Sequence, residues 1–269
     1  MARNESSNPA LQRGPFAQAG RPVGFGQPPS SGAGYAPDPV EQAYYGPTAT
    51  SRDTGRMTIE DVVVRTGIML GTILLAGGLT WVLGLEGLFF PAMIVGLVLG
   101  LVISFKQVTN PVAIVGYAAV EGIFLGGLTK LIENRYPGIA VQAVTATVAV
   151  ALTMLFVYRS GRLRVTPRFT RIVVGATAGY MVLLLANLVV SLFVGGGLGL
   201  FNGGVLGIAV SLFAVGLASM NLVLDYDFIE RGAKQGMPER FGWYAAFGLT
   251  VTLVWLYIEM LRLIAQLRE

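Results

Sequence analysis

From about residue 57 onward the chain alternates long apolar runs with short polar or glycine-rich breaks. The runs lie near 62–83, 87–105, 111–132, 138–158, 172–195, 203–227 and 241–264. A helix needs about 20 mostly apolar residues to cross the hydrocarbon core of a bilayer, so each run predicts one transmembrane helix. Thr58 followed by Glu60 and Asp61 has the pattern of a helix start ahead of the first run. Pro111 opens the third, at a favoured first helical position. Gly96 and Gly100, Gly122 and Gly126, and Gly175 and Gly179 are each four apart, on one helix face, where they let helices approach closely. Residues 1–56 show no sustained period. They are rich in Gly, Pro, Ser, Gln and Tyr, as in Gly24-Phe25-Gly26-Gln27-Pro28-Pro29-Ser30-Ser31, and read as a disordered tail. With no apolar core and cleavage site of the secretory kind, that tail is expected to be retained and non-translocated. The predicted architecture is an all-α integral membrane protein, a seven-helix bundle over 57–269 behind a tail over 1–56.

Composition agrees with lipid as the solvent: 54% of residues are hydrophobic, 13% are charged and 36 of 269 are Gly. The chain has no Cys and no His, which excludes disulfides, thiolate chemistry and imidazole as base, switch or ligand. Titratable chemistry inside the membrane therefore falls to carboxylates. The net charge of +4 does not argue for nucleic acid, because the arginines sit beside spans. Arg159, Arg162, Arg164, Arg168 and Arg171 crowd the fourth connection with no acidic residue among them, which predicts that it is cytoplasmic. Counting back puts the tail in the cytoplasm too, in agreement with Arg52, Arg56, Arg65 and Lys106. Counting forward puts Gly195–Gly199 outside, Arg231, Lys234 and Arg240 inside, and the C-terminus outside. Arg262 and Arg268 fit an outside end poorly, and a re-entrant last span is the alternative.

An ionised side chain at the centre of a span costs roughly 2.5–3.5 kcal/mol on insertion scales, so each intramembrane acid asks for a reason. Glu121 lies well inside the third span with no basic residue within a turn, and needs a partner from another helix in either a structural or a conducting role. Asp225 and Asp227 are two apart, about 200° around a helix, so only one can look inward. Asp227 has Arg231 at i+4 and Glu259 has Arg262 at i+3, and local ion pairs are one reading of both. The functional reading brings a sixth-span Asp to Glu259 across the bundle. Two carboxylates at short range cannot both ionise cheaply, so they share a proton or hold a cation. Ca²⁺, which prefers oxygen ligands, suits such a pair.

Tyr117-Ala118, Glu121-Gly122 and Leu125-Gly126 in the third span, Tyr226-Asp227 in the sixth and Leu256-Tyr257-Ile258-Glu259 in the seventh together resemble the Bax inhibitor-1 family, also called the transmembrane Bax inhibitor motif or YccA-like family. The resemblance covers roughly 57–269. It implies a compact seven-helix fold with the last helix surrounded by the others. It also implies a di-carboxylate centre linked to proton-sensitive Ca²⁺ leak, which maps to Asp227 and Glu259, with Asp225 as rival to Asp227 and Glu121 as a further carboxylate on the route. The chain departs from the pattern in three places: Glu259 stands where an Asp is usual, Gly-Ala-Lys-Gln-Gly-Met-Pro lengthens the loop between the sixth and seventh spans, and Asp225 rivals Asp227; the second span also has no Arg, which some relatives carry as a basic partner of the carboxylates.

The leading functional expectation is a pH-sensitive cation leak channel or transporter-like protein of a bacterial plasma membrane, N-terminus cytoplasmic. Its partners would be lipid, Ca²⁺ and H⁺, with Ca²⁺ as bound or transported ion and no other cofactor. The alternative is a non-transporting regulator that binds and restrains another membrane protein such as a protease. Catalysis is not expected. There is no His, no Gly-x-Ser-x-Gly elbow and no zinc-binding helix. Nor does the Gly-x-Gly-Asp motif of an intramembrane aspartyl protease occur, the nearest run, Gly197-Leu198-Gly199-Leu200, carrying no acid.

Overall fold

The computed structural model describes residues 55–193, 195, 197–199 and 203–269; the tail expected over 1–56 lies, as far as residue 54, outside them. Among the described residues seven α-helices follow one another: α1 Ile59–Val82, α2 Phe89–Lys106, α3 Pro111–Glu133, α4 Ile139–Arg159, α5 Pro167–Phe193, α6 Val205–Lys234 and α7 Phe241–Leu267, with a 3-10 turn over Glu86–Leu88 leading into α2. All seven are long and apolar enough to cross a membrane, and among the described residues there is no strand. Local chemistry sets the starts. Thr58 and Asp61 form a reciprocal capping box at α1, and the Asn110 side chain accepts from the Val112 N–H ahead of Pro111 at α3.

Helix α6 runs seven residues past the expected end at 227, because polarity ends a hydrophobic run without ending a helix. Asp227 pairs with Arg231 and Glu230 with Lys234, both i,i+4, and these hold the extra two turns. Gly236, at φ +67°, then turns the chain. Gly232, Ala233 and Lys234, expected in a lengthened loop, are thus helical. Helix α7 is one continuous helix of 27 residues, so the re-entrant alternative does not hold. At its end Arg268 donates to the Pro137 carbonyl at 2.9 Å and to Gln142 Oε1 at 2.6 Å.

Helix α7 packs against α1, α3, α4 and α6, the central place that the resemblance implied, while α2 leans on α3 and α5 on α6. The tightest crossing is α1 on α3. A Cβ at Gly122 would lie 2.6 Å from the Ile73 carbonyl oxygen, and one at Gly126 would lie 2.5 Å from that of Gly77. Only glycine lets the backbones meet so closely. Gly175 and Gly179, by contrast, face open space.

The connections sort into two ends. At one, Met57 N–H donates to the Met237 carbonyl at 2.7 Å, the Tyr244 hydroxyl to that of Ser104 at 3.3 Å, and Arg231 to that of Val165 at 3.2 Å. This brings the start of α1 together with the α2–α3, α4–α5 and α6–α7 connections, and it carries the arginine-rich segment; it is the basic end hereafter. The opposite end gathers the α1–α2 and α3–α4 connections and the C-terminus, as where Lys130 donates to the Trp81 carbonyl at 2.8 Å and Tyr136 to Glu269 at 3.3 Å.

Candidate functional site

A cavity of about 690 Å³ opens among the connections of the basic end, with Ser104, Val165 and Tyr244 on its wall, and reaches inward to Asn221, Asp225 and Thr252. Asp225 lies on α6 about 13 Å from the helix end at Lys234, at 1.5 Å per residue. Its carboxylate shares the cavity wall with Thr252 of α7, whose hydroxyl donates to the Gly248 carbonyl at 3.3 Å. Asp225 Oδ2 is buried without a hydrogen-bond partner. Asp227 lines the same cavity but is turned to its own helix, where Arg231 Nε donates to Oδ2 at 2.8 Å. Asp225 is therefore the inward carboxylate and Asp227 the locally paired one.

Glu259 sits in a different place. The Asp225–Thr252 contact sets the level of α6 against α7, and Glu259 lies seven residues farther along α7, about 10 Å away. The structure thus does not bring Asp227, or Asp225, to Glu259. Asp227 and Glu259 do not meet because the helices are antiparallel: the register fixed at Ser211 and Gln266 sets Asp227 level with about residue 250, nearer the basic end, roughly 13 Å along α7 from Glu259. Glu259 is 1% exposed. Its Oε1 accepts from the Tyr180 hydroxyl at 2.8 Å, from Trp255 Nε1 at 3.2 Å and from Arg262, while Oε2 is buried without a partner. Tyr180 in turn stacks on Trp255, ring centres 5.9 Å apart, and accepts from Arg262 at 3.2 Å. The i+3 reading of Glu259 with Arg262 is what the structure shows.

Glu121 of α3 is buried against α2, with the Tyr117 side chain close by. A Cβ at Gly96 of α2 would stand 2.9 Å from its Oε2, so the glycine makes room for the carboxylate. It does not line the cavity of Asp225.

Arg65, read from sequence as a flanking charge, is a buried clamp. Its guanidinium donates to the Glu239 carbonyl at 2.5 Å and to Glu239 Oε1 at 2.6 Å, and lies 5.4 Å over the Trp243 ring. Gly242 leaves the space, since a Cβ there would be 2.3 Å from Arg65 Nη1. Thr252, Tyr180 and Trp255 carry no signal in the sequence either, because hydroxyls and aromatics within an apolar run do not show what they face. Among the described residues no group of three or more His, Cys, Asp or Glu comes together as a metal site.

A family model described as Bax inhibitor 1 like matches residues 8–269. The chain belongs to that family. The match covers all seven helices of this Bax inhibitor 1-like protein and extends further toward the N-terminus than the resemblance read over 57–269. Among curated proteins none matches the chain. Family and fold together make it a multi-pass integral membrane protein.

Proposed function

We propose that this protein is a pH-sensitive cation leak pathway, with Ca²⁺ as the leading ion and Asp225 as the carboxylate at which the ion enters. The observation that carries the reading is Asp225 itself: an acid deep in a span, beside Thr252, with Oδ2 buried and unpartnered, at the foot of a cavity open at the basic end. A carboxylate without a cation beside it is costly in a span, and a passing ion or a proton removes that cost. Arg231 would oppose cation entry at the mouth, but Asp227 neutralises it at 2.8 Å. With no histidine in the chain, proton sensing falls to the carboxylates, and Asp225 is the one exposed to the cavity without a charged partner. The chemistry is electrostatic and not catalytic. Positive-inside bias favours the basic end in the cytoplasm of a plasma membrane.

Ca²⁺ flux into liposomes holding the purified protein, from pH 5 to 8, tests this. Wild type should pass Ca²⁺ above empty vesicles with a pH-dependent rate. Asp225→Asn should lower the flux at least tenfold at neutral pH and flatten the pH response. Asp227→Asn frees Arg231 at the mouth, so it should slow the flux by a smaller factor while leaving the pH response in place. Absence of flux at every pH, with the protein folded, would reject the pathway and favour a regulator that restrains another membrane protein.

A further inference from the structure

A second cavity, of about 630 Å³, opens sideways from the bundle between α1 and α4. Both helices pack on α7 without closing over it, so α3 and α7 form the floor of a groove. Leu74 and Val82 of α1 and Val148 and Leu152 of α4 stand exposed on its rim, and Leu125 and Val254 lie buried at its floor. The wall is apolar almost throughout, and its hydroxyls are already engaged. Those of Thr129 and Tyr257 bond each other at 2.7 Å, and Thr147 donates to the Ala143 carbonyl at 2.7 Å. Gly78 also lines the groove, and a Cβ there would meet nothing within 4 Å, so the space in front of it is open. The volume falls within the roughly 300–1,000 Å³ of small-ligand sites, and the lining suits hydrocarbon.

The groove has the depth of one leaflet. Along α1 it runs from Leu70 to Trp81, roughly 16 Å at 1.5 Å per residue, against about 15 Å for half of a hydrocarbon core. Its inner end lies midway along α1, and its outer end lies at the α1–α2 and α3–α4 connections, away from the basic end. A transmembrane helix from another chain crosses the whole core and would need a groove about twice as long. At the outer end Trp81 stands where aromatic rings gather at a membrane–water interface. Lys130 donates to the Trp81 carbonyl at 2.8 Å and lies 3.7 Å from Glu86. An ammonium has three donors, which leaves one for a phosphate at headgroup level. We infer that the groove holds one acyl chain of a phosphoglycerolipid from that leaflet, with the lipid phosphate beside Lys130. The chain covers the flank of α7 that α1 and α4 leave open.

The probe is phosphatidylglycerol with a photoactivatable diazirine near the end of one acyl chain, in liposomes holding the full-length protein. Because α7 is central, lipid reaches its middle only through this groove, and the segment around Leu253 and Tyr257 should be labelled on photolysis. Gly78→Phe and Val148→Phe fill the groove from opposite walls, and each should cut that labelling at least fivefold. Leu75→Phe, at a position 71% exposed and outside the groove, should leave it unchanged. The same diazirine chain on diacylglycerol, which has no phosphate, should label several-fold less, and Lys130→Gln should remove the difference. No label on α7 while the exposed Val182 of α5 is labelled would overturn the site, as would labelling that both Phe variants leave intact. A dimer cross-linked through α1 and α4 would overturn it in favour of a second copy of the chain, and a phosphate preference that survives Lys130→Gln would overturn the placing of the headgroup.

Discussion

Gly126→Ala tests how far the α1–α3 crossing depends on backbone contact. The added Cβ would lie 2.5 Å from the Gly77 oxygen, 2.7 Å from its Cα and 2.9 Å from its carbonyl carbon. All three are backbone atoms, so no rotamer relieves them. Ordinary contact begins near 3.4 Å, so the helices must part by roughly 0.9 Å. A gap of that size forfeits about a quarter to a half of the dispersion attraction of the atoms that line it, here Ile73 and Ala76 against Gly122. Overpacking of this kind costs about 1–3 kcal/mol. The gain in helix propensity from Gly to Ala, about 1 kcal/mol, offsets part of that. Gly78→Ala supplies the internal control, because its Cβ meets nothing within 4 Å and only the propensity gain remains. The two variants should therefore differ by about 1–3 kcal/mol, Gly126→Ala the less stable, in a reversible titration from native micelles into sodium dodecyl sulfate. Equal stability, or a more stable Gly126→Ala, would refute the claim that backbone contact limits this crossing.

Other outcomes follow from the same geometry. Arg65→Met should cost about 2–3 kcal/mol, since the buried guanidinium makes both bonds to Glu239, whereas Glu239→Gln should cost less than about 1 kcal/mol because that side chain is 46% exposed and its backbone carbonyl still accepts. Arg262→Gln strands Glu259 with two neutral donors and should cost about 3 kcal/mol in the same titration. Adding Glu259→Gln should recover part of that loss, and strict additivity of the two would sink the ion pair as a coupled unit. Tyr180→Phe removes one donor to Glu259 and one acceptor for Arg262, and should cost about 1–2 kcal/mol by thermal unfolding in detergent.

The bundle was legible from hydropathy because lipid imposes a length and an apolar face on every span. Helix starts at Thr58 and Pro111 were legible from capping chemistry, and Gly122 with Gly126 from their spacing. The end of α6 was not, because Asp227 to Lys234 is polar yet helical, held by pairs four apart. The expected pair of Asp227 and Glu259 rests on the resemblance and not on that boundary, and the antiparallel register fixed at Ser211 and Gln266 sets Glu259 about 10 Å or more along α7 from the level of either aspartate. Sequence also showed that Asp225 and Asp227 must diverge, but which one looks inward depends on the rotation of α6, and hydropathy does not encode it. Arg65 escaped for a similar reason: a cation near a span start is read as a flanking charge until the loop that covers it is known.

The chain enters α1 through a clasp. Gly55 accepts from the Glu239 N–H at 2.8 Å, Arg56 bridges Pro238, and Met57 donates to Met237, so the last residues before the first helix are stitched to the α6–α7 turn. Met237 and Gln235 of that turn also line the rim of the Asp225 cavity. A pull on the chain from its N-terminal side therefore loads this rim before it loads any helix in the bilayer. Tension on that side of the chain has a direct mechanical route to the mouth of the cavity.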